Sequence, residues 1–212
     1  MKKIILSLLL IFSLVGTSFA AETATQFVNT LVDNVIQNVL KSDASKEVKK
    51  ARFESYVLSA VDVPAIAKTV LAQNWRTATK AEQDAFIDAF KTMAINMVAE
   101  RFNMYNGQQL TFHSERPAQG KNQVFVDSSV PDSAGKPIQI VWRVKEKDGT
   151  YKVLDLIIEG VSMTLTYRND YTAYLQKHTL KELIQQIEEQ AAHPDSAHIP
   201  EQNTEPKKAS AK

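Results

Sequence analysis

Apolar residues recur at Phe27, Val28, Leu31, Val32, Val35, Ile36 and Val39, a three-and-four spacing that puts them on one side of a helix starting near Ala24. A shorter, more charged helix is predicted from about Ser45 to Leu58, carrying Val48, Ala51 and Tyr56. Asp62 has the character of an N-cap with Pro64 in the following turn, opening a helix through Ile66, Ala67, Val70 and Leu71. In Thr79-Lys80-Ala81-Glu82 the hydroxyl and the carboxylate stand three apart, so each can take a free backbone N–H, which is a capping box. Phe86, Ala89, Phe90, Met93, Met97, Val98 and Tyr105 then hold the helical period up to Asn106-Gly107. They predict one unbroken helix of roughly 39 Å at 1.5 Å per residue.

After Gly107 the period changes to two: Leu110, Phe112 and Ser114, then Val124, Val126, Ser128 and Val130, then Ile138, Ile140, Trp142 and Val144. Turn residues at Gly120, at Pro131 to Gly135 and at Lys147-Asp148-Gly149 separate the runs, so an antiparallel meander is predicted. The next strand, Tyr151 to Ile158, carries Val153 and Ile157 on one side and Leu154, Leu156 and Ile158 on the other. A strand apolar on both faces belongs mid-sheet, with apolar material on each side. A further strand is predicted from Val161 to Arg168. It leads to a helix with Tyr171, Tyr174 and Leu175, and a second capping box at Thr179 to Glu182 opens a last helix ending near Gln190. The pattern is that of an α+β domain, a twisted antiparallel sheet of about four to five strands wrapped by helices.

The two ends read differently. Met1-Lys2-Lys3, the largely apolar stretch Ile4 to Val15, and Ser18 and Ala20 at the minus-three and minus-one positions make an export signal cleaved after Ala20. Twelve residues fall short of the roughly 20 that span a bilayer as a helix. Beyond Ala192 the chain is polar, contains Pro194, Pro200 and Pro206, and has no apolar period. The expected organisation is a signal over 1–20, one domain over 21–192 and a disordered tail over 193–212.

Composition narrows the chemistry. With 25 Lys and Arg against 24 Asp and Glu, and no basic stripe, nucleic-acid binding has no electrostatic basis. The absence of cysteine removes disulfides, thiolate metal sites and a lipidated-cysteine anchor. His113, His178, His193 and His198 have no spacing that puts two ligands on one helical face. Gly160-Val161-Ser162-Met163-Thr164 lacks the second glycine of a nucleophile elbow, and a strand rather than the helix of that motif is expected after it. Asp155, between apolar neighbours, has two readings: a general base raised by burial, or a structural carboxylate held by backbone or arginine donors.

Val70-Leu71-Ala72-Gln73-Asn74-Trp75-Arg76-Thr77-Ala78-Thr79 resembles the signature of the MlaC family, also called the toluene-tolerance auxiliary family, in which V-L-G-x-x-W/Y-R/K-x-A-S/T precedes a long helix. Glu82-Gln83, Phe86 to Phe90, Tyr105-Asn106-Gly107-Gln108, Tyr151-Lys152-Val153-Leu154-Asp155, Glu159-Gly160-Val161-Ser162-Met163 and Tyr167-Arg168 are similar to further family segments, in the same order. Ala72 stands where the family usually has glycine and Tyr151 where it usually has tryptophan.

The resemblance implies a soluble periplasmic shuttle without catalytic residues, cofactor or metal. It would pass phospholipid between an outer-membrane lipoprotein complex and an inner-membrane ABC transporter complex, and so maintain outer-membrane asymmetry. It also implies an apolar cavity between sheet and helices. Met93, Met97 and Met163 are expected there as adaptable gap-fillers, with Val70, Trp75, Tyr105, Val126, Ile140, Trp142, Leu156, Ile158, Val161 and Tyr167 as the other walls and Arg76 or Arg168 near the headgroup phosphate. The protein is expected to be a monomer. Two other readings remain open at this level: a small-molecule isomerase or hydrolase using Asp155, and a periplasmic adaptor whose groove takes a partner peptide.

Overall fold

A computed structural model describes residues 22–194. The expected signal over 1–20 and the tail from residue 195 lie outside the described residues.

The chain opens with α1 (Ala24–Val35), capped by a box between Thr23 and Gln26. The predicted helix does not continue unchanged. Ile36–Leu40 forms one π-helical turn, in which the Lys41 N–H reaches the Ile36 carbonyl at 2.9 Å. Next come α2 (Lys46–Ala60) and α3 (Val63–Leu71), the latter with Asp62 as N-cap and proline in its first turn. A four-residue helix, α4 (Asn74–Thr77), precedes α5 (Lys80–Ala99), whose Thr79 and Glu82 make the predicted capping box.

The long helix is shorter than its apolar period suggests. With 20 residues it spans about 30 Å. Arg101 leaves the helical region at φ −94° and ψ 0°, its guanidinium folded back on the Met97 carbonyl. A 3₁₀ turn, Phe102–Met104, follows. The break tucks Phe102 edge-on against Phe53, with ring centroids 5.5 Å apart.

Five antiparallel strands follow in spatial order β1 to β5: β1 (Thr111–Pro117), β2 (Gln123–Pro131), β3 (Pro137–Lys147), β4 (Thr150–Ile158) and the two-residue β5 (Val161–Ser162). Asp148 and Gly149, both at positive φ, make the two-residue turn between β3 and β4 whose twist suits a hairpin. A bulge sits in β4. Arg143 pairs with Asp155 and Val144 with Val153, so Leu154 is surplus. The surplus residue resets the alternation, which places Val153 on the same face as Leu156 and Ile158 instead of opposite them as the unbroken period predicts.

The predicted strand from Val161 to Arg168 is the second correction. Only Val161 and Ser162 pair with β4. Ser162 then caps α6 (Met163–Tyr174) by accepting the Leu165 N–H at 3.1 Å. The last helix, α7 (Leu180–Ala192), carries the second predicted capping box.

Three apolar clusters hold these parts together. The first is helical: Val70, Leu71, Phe86, Phe90, Met93, Met97, Tyr171, Leu183 and Ile187 bring α3, α5, α6 and α7 into one interior. The second packs Ala24 and Val28 of α1 on Val126, Val144 and Val153 of the sheet. The third joins Val39, Ala99 and Phe102 with Phe53 and Tyr56 of α2. A space is left where the three meet.

Candidate functional site

That space is a cavity of about 520 Å³, within the size range of pockets that enclose a small organic ligand. Leu31, Val32 and Val35 of α1, with Ile36 and Leu40 of the π-helical turn, form one wall. Phe53, Tyr56 and Val57 of α2 and Val61, Val63 and Ile66 beyond it form the second. Phe90, Lys91, Ala94, Ile95 and Val98 present one side of α5, and Val130, Trp142, Val153 and Leu156 close the space from the sheet. Tyr105, Gln108 and Leu110, in the segment between the 3₁₀ turn and β1, complete it. Two irregularities of the fold lie in this lining. The π-helical turn contributes Ile36 and Leu40, and the bulge lets Val153 and Leu156, three residues apart, face the same void.

The few polar side chains in the lining are largely occupied. Trp142 Nε1 donates to Ser128 Oγ at 3.1 Å, and that hydroxyl donates to the Ile140 carbonyl at 2.8 Å. The Tyr56 hydroxyl accepts from Asn38 Nδ2 at 2.9 Å, Gln108 Oε1 accepts the Asn106 N–H at 3.0 Å, and Lys91 pairs with Asp88 at 3.3 Å. The exception is Tyr105, whose hydroxyl oxygen is buried and has no partner.

Of the residues expected at the pocket, Tyr105, Trp142 and Leu156 line this cavity. Val70, Met93 and Met97 are instead within the helical interior, with Trp75 and Tyr167 packed against it. The cause is angular. Phe86, Met93 and Met97 recur at seven and four, while Lys91, Ala94, Ile95 and Val98 recur at three, four and seven, so two apolar stripes occupy different sides of one helix. Val126 is fully buried in the sheet cluster beneath α1. Ile140, Ile158, Val161 and Met163 are half-buried and lie outside the lining, the last two because β5 and the start of α6 are at the far edge of the sheet. Arg76 and Arg168 are exposed and do not border the cavity. Arg168 lies along a separate open groove of mixed polarity between Ala72 to Asn74 and α6. The walls supplied by α1, the π-helical turn and α2 were missed. Their signal in the sequence is the breadth of the α1 stripe, which holds more apolar positions than the fully buried Ala24 and Val28 account for.

Asp155 is 4% exposed. Its carboxylate accepts the Ser162 hydroxyl and, at 2.9 Å, the Thr164 N–H, so both oxygens are engaged in fixing the first turn of α6 on β4. It is absent from the cavity lining. Burial, the dominant cause, raises the hydroxyl pKa of Tyr167 and of Tyr171, and these hydroxyls donate to Met97 Sδ and Met93 Sδ at 3.8 Å. Among the described residues no three His, Cys, Asp or Glu side chains gather as a metal site, and no helix is long and apolar enough to cross a membrane.

Comparison with known proteins adds three findings. Residues 25–189 match the MlaC protein family. The chain is similar to the intermembrane phospholipid transport system binding protein MlaC of Haemophilus influenzae, with 22% identity over 198 residues that cover 90% of this chain and 92% of that protein. Its fold is similar to that of a phospholipid-binding protein from Ralstonia solanacearum solved in complex with a phospholipid. The TM-score is 0.72 and the identity 23%, over 83% of this chain and 99% of the other.

Proposed function

The chain belongs to the MlaC family, and on that premise we propose that it is a periplasmic phospholipid carrier, exported by the segment over residues 1–20 and acting as a monomer. The observation that carries this reading is the apolar cavity of about 520 Å³ enclosed between sheet and helices. A relative spanning nearly the whole chain is named for intermembrane phospholipid transport, and a protein of the same fold has been solved with a phospholipid.

The physics of the task matches such a cavity. A two-chain phospholipid exposes on the order of 30 methylenes, and at about 0.8 kcal/mol each their contact with water costs roughly 24 kcal/mol. Sheltering the chains among Leu, Val, Ile and Phe side chains removes most of that cost. Transfer between membrane and protein then becomes nearly balanced, so the same cargo can be both taken up and given away. The partners on this reading are an outer-membrane lipoprotein complex and an inner-membrane ABC transporter complex, with outer-membrane lipid asymmetry as the outcome.

The protein acts on this reading without catalysis, cofactor or metal. The engagement of both Asp155 oxygens in the β4–α6 junction supports a structural role for that carboxylate. Organic extraction of gently purified protein followed by mass spectrometry is the test. Stoichiometric phospholipid is the expected result, whereas an empty cavity or a bound peptide would overturn the carrier in favour of the adaptor. Turnover of a small molecule that vanishes in Asp155→Asn would overturn it in favour of the enzyme.

A further inference from the structure

Tyr105 lines a cavity in which the other tyrosine, the tryptophan and the lysine have internal partners, and its own hydroxyl is buried with none. A buried polar group left unpaired is a standing cost to the folded protein. A phenylalanine would avoid that cost while filling the same volume. The position is also built with care. The helix breaks at Arg101, a 3₁₀ turn redirects the chain, and Gly107 at φ +98° with the Gln108 side chain folded onto the Asn106 N–H holds the segment that carries the ring.

We propose that the Tyr105 hydroxyl is the polar anchor for the cargo, donating its hydrogen to an ester carbonyl at the root of an acyl chain. This rests on the carrier reading above. The chemistry of the cargo restricts the choice. Within an apolar cavity a phospholipid offers its ester carbonyls as acceptors, while its phosphate stays with water at the mouth, and a phenol supplies the matching donor. The ligand class selected is therefore acyl esters of glycerol, in preference to lipids with the same chains but ether links. The anchor fixes how deep the chains sit without constraining the headgroup.

The test uses the delipidated protein and its Tyr105→Phe variant, each titrated with a diacyl phosphatidylglycerol and with the dialkyl ether analogue of equal chain length. The wild type is expected to bind the ester lipid about 5- to 10-fold more tightly, the magnitude of one neutral hydrogen bond. Tyr105→Phe is expected to bind both lipids equally, at the wild-type affinity for the ether. The empty variant should melt no lower than the empty wild type, because the unpaired hydroxyl is gone; a purely structural tyrosine would show the opposite. An ester preference that survives in Tyr105→Phe overturns the inference while leaving the carrier intact. Equal weakening of both lipids also overturns it, by assigning the hydroxyl to the phosphate that both share. If neither protein takes up either lipid, the carrier reading falls and the anchor with it.

Discussion

The two sides of α5 invite direct comparison, because one helix serves a solid interior on one side and a hollow one on the other. On the solid side Phe86 stacks on Phe90 at 5.8 Å, Tyr171 meets Phe86 edge-on at 6.0 Å and Tyr167 meets Phe90 edge-on at 5.3 Å. Met93 and Met97 fill the remaining gaps against α6 and α7. On the hollow side Ala94, Ile95 and Val98 face α1, α2 and the sheet, Phe90 at the boundary is the one large ring of this helix that also borders the space, and a void persists. Apolar character is the same on both sides. What differs is side-chain volume relative to the distance of the facing wall, and close packing follows only where large and small residues alternate across the gap.

The comparison is broken most severely by adding charge or space to the solid side. Phe86 is fully buried and Met97 nearly so. Met97→Lys should leave the protein unfolded, since an unpaired buried ammonium costs several kcal/mol against a total stability of about 5–15. Phe86→Ala should lower the urea-unfolding free energy by about 3–5 kcal/mol. A folded, lipid-free Met97→Lys protein would return that residue to the cavity wall.

Filling the hollow side should separate binding from stability. Ala94→Leu adds volume where the cavity has room, so the melting temperature is expected to hold or rise while the lipid recovered by extraction falls about tenfold. An unfolded Ala94→Leu protein would show this side of α5 to be as tightly filled as the other.

A smaller effect concerns the two tyrosines of the solid side. Burial raises their folded pKa above the usual tyrosine value of 10.0. The stability they contribute is complete below about pH 10 and is lost as pH climbs above it, because the unfolded chain releases protons that the folded chain retains. Melting curves from pH 8 to 11 should fall less steeply for Tyr167→Phe/Tyr171→Phe than for the wild type.

The smallest effect lies at the end of α3. Ala72 adopts φ 51° and ψ −114°, a conformation that suits glycine. Ala72→Gly should therefore stabilise by about 1 kcal/mol, or about 2–4 °C for a chain of this size, with lipid content unchanged. A lower melting temperature would show that the alanine methyl contributes more by packing than its backbone costs.

The parts of the fold that the sequence reveals are those fixed by local chemistry. Thr79 with Glu82 and Thr179 with Glu182 form reciprocal caps, with Thr N–H to carboxylate distances of 2.8 and 2.7 Å. The meander follows from its alternation and its turns. The misread segment, Val161 to Arg168, alternates Val161, Met163, Leu165 and Tyr167 as a strand would. It becomes a helix because Ser162 caps its first turn and Asp155, distant from it in the local pattern, accepts the Thr164 N–H. No local signal announces that contact. The break of α5 is hidden for a related reason, since Val98, Phe102 and Tyr105 fit an unbroken helical period. For the cavity, apolar periodicity shows which residues are inside but not whether the space opposite them is filled. That is why Trp142 and Leu156 were within reach of the sequence whereas Ile36, Val57 and Ala94 were not.

The bulge at Leu154 has a genetic consequence. Because Val153 and Asp155 pair with adjacent residues of β3, removing Leu154 would leave every other side chain of β4 on its present face, Asp155 still under α6 and Leu156 still toward the void. What the deletion would take away is the bend and extra twist that a bulge gives its strand. A single in-frame codon, silent as to which residues face where, thus separates a more curved sheet from a flatter one.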